Sequence, residues 1–129
     1  MEPYLTLQNR KLVKLISRFR SGAHKLRIHT GRYEIPGGLL ITDRTCIYCN
    51  SNEIDDENHF ITSCQFHSCE RNTLFTNVGA VLPNFLSMTA YEKFIYLLQT
   101  KDMNVLTYFG KYLENCFESR SRVDTARQV

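Results

Sequence analysis

Apolar side chains recur at a helical interval over residues 5–21. Leu12, Leu15, Ile16 and Phe19 follow the i, i+3, i+4, i+7 spacing of one buried face. Lys11, Lys14 and Arg18 share another face, and Gly22 is placed to end the helix in a left-handed conformation. The stretch from His24 to Ile28 alternates polar and apolar residues, which fits a short strand or a single turn. Pro36, Gly37 and Gly38 then exclude regular structure. The helical period returns over 66–79, with Leu74, Phe75 and Val78 inward, and breaks near Pro83. Thr89-x-x-Glu92 is a capping box that opens a further helix, whose apolar face is Tyr91, Phe94, Ile95 and Leu98. Asp102 can cap a last helix carrying Leu106, Phe109, Leu113 and Cys116. Residues 119–129 are polar and predict a frayed, disordered tail. No internal repeat stands out.

The periodicity therefore predicts one mainly α domain over residues 1–129, with a zinc-knuckle-like hairpin inserted near the middle. A basic helix and extended segment occupy 5–35, a metal motif 44–65, and a helical part 66–118.

The metal motif is Cys46-x-x-Cys49, a nine-residue gap, then His59 and, five residues on, Cys64. Three thiols and an imidazole at this spacing are the ligand set of one closed, tetrahedral, structural Zn²⁺ site of CCHC type. Helix phase constrains it: residues i and i+5 sit about 140° apart on a regular helix. His59 and Cys64 cannot then reach one ion from an unbroken helix. His59 is expected within a short helix, with Cys64 at or just past its end. Asp55, Asp56 and Glu57 fall where that helix begins and where its dipole favours negative charge. Arg44 is placed to offset the −1 charge of three thiolates around Zn²⁺. His67 and Cys69 lie near enough to replace His59 or Cys64 as ligand; otherwise Cys69, like Cys116, is expected in the core.

The chain has 129 residues, 43% apolar, with eight Phe and seven Tyr, enough for a real core. No apolar run approaches the ~18 residues that span a bilayer. The start lacks a secretory pattern, and five cysteines with three beside a histidine favour metal over disulfides. A cytoplasmic or nuclear protein is expected. Net charge is +3, unevenly spread. Residues 1–45 carry nine Lys/Arg against three Asp/Glu, a net +6; residues 46–129 carry seven against ten, a net −3. The basic half suggests a polyanion or a solvated face. No nucleophile–base set or phosphate-binding glycine loop stands out, so no enzyme is expected.

The stretch Ser17-Arg18-Phe19-Arg20-Ser21-Gly22-Ala23-His24-Lys25-Leu26-Arg27-Ile28, then Thr30-Gly31-Arg32-Tyr33, Arg44-Thr45-Cys46-x-x-Cys49 and Asp56-Glu57-x-His59-Phe60-x-x-x-Cys64, resembles a known family. It is similar to the carboxy-terminal tail of reverse transcriptases from non-long-terminal-repeat (LINE-type) retrotransposons, and Arg71 matches a recurrent arginine there. His29 and the apolar Gly37-Gly38-Leu39-Leu40 depart from that pattern. The resemblance implies the non-catalytic tail without polymerase or endonuclease, acting on RNA or DNA, with single-stranded RNA favoured, and possible work beside a reverse transcriptase supplied in trans. Lys11, Lys14, Arg18, Arg20, Lys25, Arg27 and Arg32 are then the expected phosphate contacts, and Tyr33, Ile47 and Tyr48 the base contacts. The alternative is a protein-interaction scaffold in which zinc only staples helices.

Overall fold

The computed structural model describes residues 7–22 and 26–127. Five α-helices lie within them: α1 (Leu7–Arg20), α2 (Arg27–Thr30), α3 (Ser68–Val81), α4 (Ala90–Gln99) and α5 (Met103–Arg127). Among the described residues there is no strand, only an isolated antiparallel bridge between Thr45 and Ile54. The domain is mainly α, as the periodicity predicts.

α1 buries Leu12, Ile16 and Phe19. It ends at Gly22, whose φ of 82° is the left-handed conformation expected there. α1 lies along α5, and the two approach closely at Gly110, where a Cβ would come 2.8 Å from that of Leu12. Of the stretch expected as a short strand or a single turn, His24 and Lys25 lie outside the described residues, and Arg27–Thr30 forms the single turn α2.

α3 stops at Val81 because Leu82 precedes Pro83 and is extended, with φ −128° and ψ 93°. The capping box of α4 forms in both directions: Glu92 N–H donates to Thr89 Oγ1 at 3.2 Å, and Thr89 N–H to the Glu92 carboxylate at 3.0 Å. The face expected of α4 needs correction. Leu97 is its fully buried residue, whereas Tyr91 is 64% exposed. α4 touches both the turn carrying His59 and α5. Phe94, Ile95 and Leu98 of the expected face are partly buried, with Phe94 and Leu98 packed on the core, and the fully covered centre of that face is Leu97.

Asp102 caps α5 by accepting from the N–H groups of Asn104 and Val105. Val105, Phe109, Tyr112, Leu113 and Cys116 are buried along it. Over 119–127 the expected disordered tail is instead helix: α5 continues to Arg127, and Arg120 is only 4% exposed; residues 128–129 lie outside the described residues. Cys116 and Arg120 are one helical turn apart, so the buried stripe runs on under an arginine.

An aromatic cluster joins these elements. The Phe60 ring stacks on Phe117 at 4.7 Å and meets Phe19 at 5.6 Å, and Phe19 sits edge-on to Phe109 at 5.9 Å. Each such buried ring contributes about 1.5–3 kcal/mol by area alone. Phe60 comes from the metal motif, so that motif is seated in the core by its own aromatic residue.

Candidate metal centre

The first two cysteines ride on a minimal hairpin. Asp55 N–H donates to Arg44 O, and Cys46 N–H to Glu53 O, both at 2.9 Å. Asn52 makes the return at φ 59°, a left-handed conformation that asparagine tolerates. Ser51 Oγ accepts from Glu53 N–H and fixes the same corner. The turn-forming cluster at 50–52 is thus the tip of the hairpin.

The other two ligands come from a π-helical turn, His59–Ser63, with Cys64 as the residue that ends it. Here the helix-phase problem is solved. Cys64 N–H donates to His59 O at 2.8 Å, an i→i+5 bond. A turn closed over five residues brings both side chains to one side, which a 3.6-residue repeat does not. Such a turn displaces carbonyls from their usual partners, and each finds another. Tyr112 Oη donates to Phe60 O, Arg71 Nε to Ile61 O at 2.9 Å, and Arg71 Nη2 to Cys64 O at 2.6 Å. The arginine singled out by resemblance is therefore a brace for the ligand turn. Asp56 starts the turn by accepting from His59 N–H at 2.8 Å, the capping role expected of the acidic cluster.

The ligand atoms of Cys46, Cys49, His59 and Cys64 all lie within 4.8 Å of one another. Cys46 Sγ and Cys64 Sγ are 3.8 Å apart, and Cys49 Sγ is 3.4 Å from His59 Nε2. With Zn–S near 2.3 Å and Zn–N near 2.0 Å, a tetrahedron has sulfur–sulfur edges of about 3.8 Å and sulfur–nitrogen edges of about 3.5 Å. Two opposite edges of the cluster already have those lengths. His59 Nδ1 meets Glu53 Oε2 at 2.6 Å. Glu53 accepts a hydrogen bond from Nδ1–H and so turns Nε2 toward the sulfurs, the arrangement by which metal-binding histidines are oriented. The donor set fits a single zinc ion.

The titration of these groups, taken as metal-free, follows from their crowding. Cys46 is lifted to about 11 by its hydrogen bond with Cys64 and by burial, while Cys64 is lowered by the same bond. Of the two, Cys46 is the one that holds its proton more tightly. Burial opposes charge on His59, but hydrogen bonds with Cys46 and Glu53 outweigh it and raise the imidazole to about 9. A cation entering the cluster must displace the protons that Cys46 and His59 hold tightly.

Neither alternative ligand joins the cluster. Cys69 is exposed on α3, not in the core. His67 is fully buried, but its Nε2 accepts from Arg120 Nε at 3.0 Å. Burial, with Arg120 and Arg71 nearby, depresses it to about 3, so it is neutral. His67, Glu70 and Cys116 also lie within 4.8 Å of one another. With Nε2 accepting, the one ring proton sits on Nδ1, which has no lone pair for a metal; that trio is not read as a second centre. Arg44 does not face the thiolates either. It donates to Leu39 O and Ile28 O and braces the loop before the hairpin.

The positive charge beside the sulfurs comes instead from Arg120, unforeseen in the sequence, together with buried Asp55. The signal for Arg120 was faint but real: Phe109, Leu113, Cys116 and Arg120 are spaced by four, three and four residues.

The residues expected at a polyanion divide into two groups. Lys14, Arg18 and Arg32 are exposed, as is Tyr33 at 75%, with the Arg32 guanidinium 4.7 Å from its ring centre. Lys11 is also exposed and pairs with Glu114 at 3.1 Å. Arg20 donates to Leu97 O and Thr100 O and ties α1 to the end of α4. Arg27 is bidentate on Glu34 and reaches Thr45 O. Tyr48 donates to the Asp124 carboxylate at 2.7 Å and lies under Arg120, so it braces the centre. Ile47 is 45% exposed, and Lys25 lies outside the described residues.

Comparison of the chain with protein families, with curated proteins and with solved structures finds no match. No helix among the described residues is long and apolar enough to cross a membrane.

Proposed function

We propose that this chain is a non-catalytic, single-stranded-RNA-binding module folded around one structural zinc ion. The observation that carries the zinc is the pair of tetrahedral edges, 3.8 Å and 3.4 Å, formed by the four expected ligands. Four protein ligands leave no open position for a reacting water, so the ion acts by holding structure. The RNA reading rests on the exposed Lys14 and Arg18 of α1, on the Arg32–Tyr33 pair, and on the resemblance to the tail of LINE-type reverse transcriptases. An exposed aromatic ring backed by a guanidinium is a stacking surface for an unpaired base.

A second reading has its own observation. Arg20, Arg27, Arg44 and Arg71 each commit the guanidinium to a main-chain carbonyl of the fold, and Arg27 also to Glu34. Much of the basic charge is thus structural, as in a scaffold whose zinc only staples helices. One experiment separates the two. Affinity for a single-stranded RNA is measured against salt for the natural chain and for Lys14→Glu/Arg18→Glu. The RNA reading expects affinity to fall steeply with salt, and the double reversal to weaken binding by about tenfold or more. Binding that is flat in salt and unchanged in the variant leaves the scaffold.

A further inference from the structure

Arg120 sits where no helix-forming preference requires a charge. It is 4% exposed and uses every nitrogen of its side chain. Nε donates to His67 Nε2 at 3.0 Å, while Nη1 and Nη2 each donate to an Asp55 carboxylate oxygen at 2.9 Å. Nη2 also lies 3.8 Å from Cys46 Sγ, one of the four ligands. The guanidinium carbon is 4.4 Å from the Tyr48 ring centre and 4.8 Å from that of Phe60, so two rings fix its plane. Asp55 is itself wholly buried. It accepts from Arg27 N–H through Oδ2 and from Ile28 N–H through its carbonyl, which ties α2 to the hairpin.

We infer that Arg120 is a positioning residue for the metal centre, and that through it the ion controls docking of the last turns of α5. This rests on the zinc reading above. A thiolate bound to zinc carries negative charge in a buried place, and an N–H directed at it damps that charge without taking up a coordination position. Asp55 holds the guanidinium so that Nη2 stays directed at Cys46. The coupling runs both ways. Beyond Phe117, α5 reaches the metal lobe through Arg120 and through Asp124, which accepts from Tyr48 Oη within the Cys46–Cys49 turn. Neighbouring positions Glu118, Ser121, Arg122, Thr125 and Ala126 are exposed. Without the ion the hairpin loses its fixed ligands, Cys46 and Tyr48 move, and this part of the helix loses both anchors.

The test uses Co²⁺ as a spectroscopic substitute for zinc, in the natural chain, in Arg120→Lys, which keeps the charge but loses the planar fork, and in Asp55→Asn/Arg120→Gln, which removes both charges together. Expected are one Co²⁺ per natural chain and an affinity lower by about 10–100-fold in both variants. The thiolate-to-cobalt absorption should move to lower energy once the sulfur loses its N–H donor, a shift that a merely structural role would not produce. In the natural chain, removal of the ion should abolish amide protection over 118–127 before that over 105–116. A natural chain that takes up no Co²⁺ overturns the zinc reading and this inference together. Normal uptake with variants of equal affinity and unmoved absorption, or metal removal without loss of protection over 118–127, overturns the inference alone.

Discussion

The metal lobe, residues 44–67, and the helical body of α1, α3, α4 and α5 are held by different physics. The body is joined through area: Phe19, Phe85, Phe109, Leu97 and Leu113 are wholly buried, and any of them could be traded for another apolar group of similar volume at modest cost. Of the lobe's apolar residues, Phe60 and Ile61 belong to the buried core cluster, whereas Ile47, Ile54 and Phe66 do not. It is held by directed polar contacts, each with a named partner: Glu53 on His59, Asp56 on the His59 amide, Arg71 on two carbonyls, and Arg120 on Asp55. Area tolerates substitution, whereas a polar network fails when one member is lost, because the partner left behind is buried and unpaired.

Removing the ion should break the comparison hardest. Structural zinc contributes about 10–16 kcal/mol in peptides, against about 5–15 kcal/mol for a whole domain. Chelation, or Cys64→Ser, should abolish amide protection over 44–67 while α4 and the middle of α5 retain theirs. Hydrogen exchange followed by mass spectrometry reads both regions at once. Equal loss everywhere would mean that the body cannot stand without the lobe; no loss anywhere would mean that the ion holds nothing.

Phe109→Ala attacks the other side. It removes a fully buried ring that packs edge-on against Phe19, so about 3–5 kcal/mol should be lost in denaturant unfolding. The variant should still bind one equivalent of zinc, because the ring it loses packs against Phe19 of α1 and is not itself a ligand. A variant that loses metal along with stability would show the two regions to be one cooperative unit.

The same contrast explains what was legible in the sequence. Periodicity reports area, so α1, α3 and the core stripe of α5 could be read, and the caps at Thr89 and Asp102 could be placed by residue type. The ligand cluster was legible because zinc demands particular residues at short spacing, and the helix-phase constraint foretold that His59 and Cys64 need a special turn. That the turn is π-helical was not readable, since its stability comes from Tyr112 and Arg71, distant in sequence. The polar braces were hidden for a like reason. Asp55 looked like one more acid at a helix start, and Arg120 like part of a solvated tail, yet across 65 residues they close into a buried ion pair. Charge counts failed for the converse reason: Arg20 and Arg27 add to a basic half on paper but are committed to carbonyls and to Glu34.

The smallest predicted effect sharpens the comparison most finely. Thr89→Ala removes the hydroxyl that accepts from Glu92 N–H, and with it half of the capping box of α4. An exposed cap of this kind is worth about 0.5–2 kcal/mol, and Glu92 can still reach back to the Thr89 amide position, so a value near the lower end of that range is expected. α4 is exposed at its start, over residues 89–91, and buries Leu97 near its far end. Fraying at Thr89 should therefore lower unfolding stability by that amount and leave zinc affinity unchanged, as measured by competition with a chromophoric chelator. A fall in zinc affinity would mean that strain travels the length of α4 to the ligands, and the boundary between area-held body and ligand-held lobe would then have to be redrawn to include this helix.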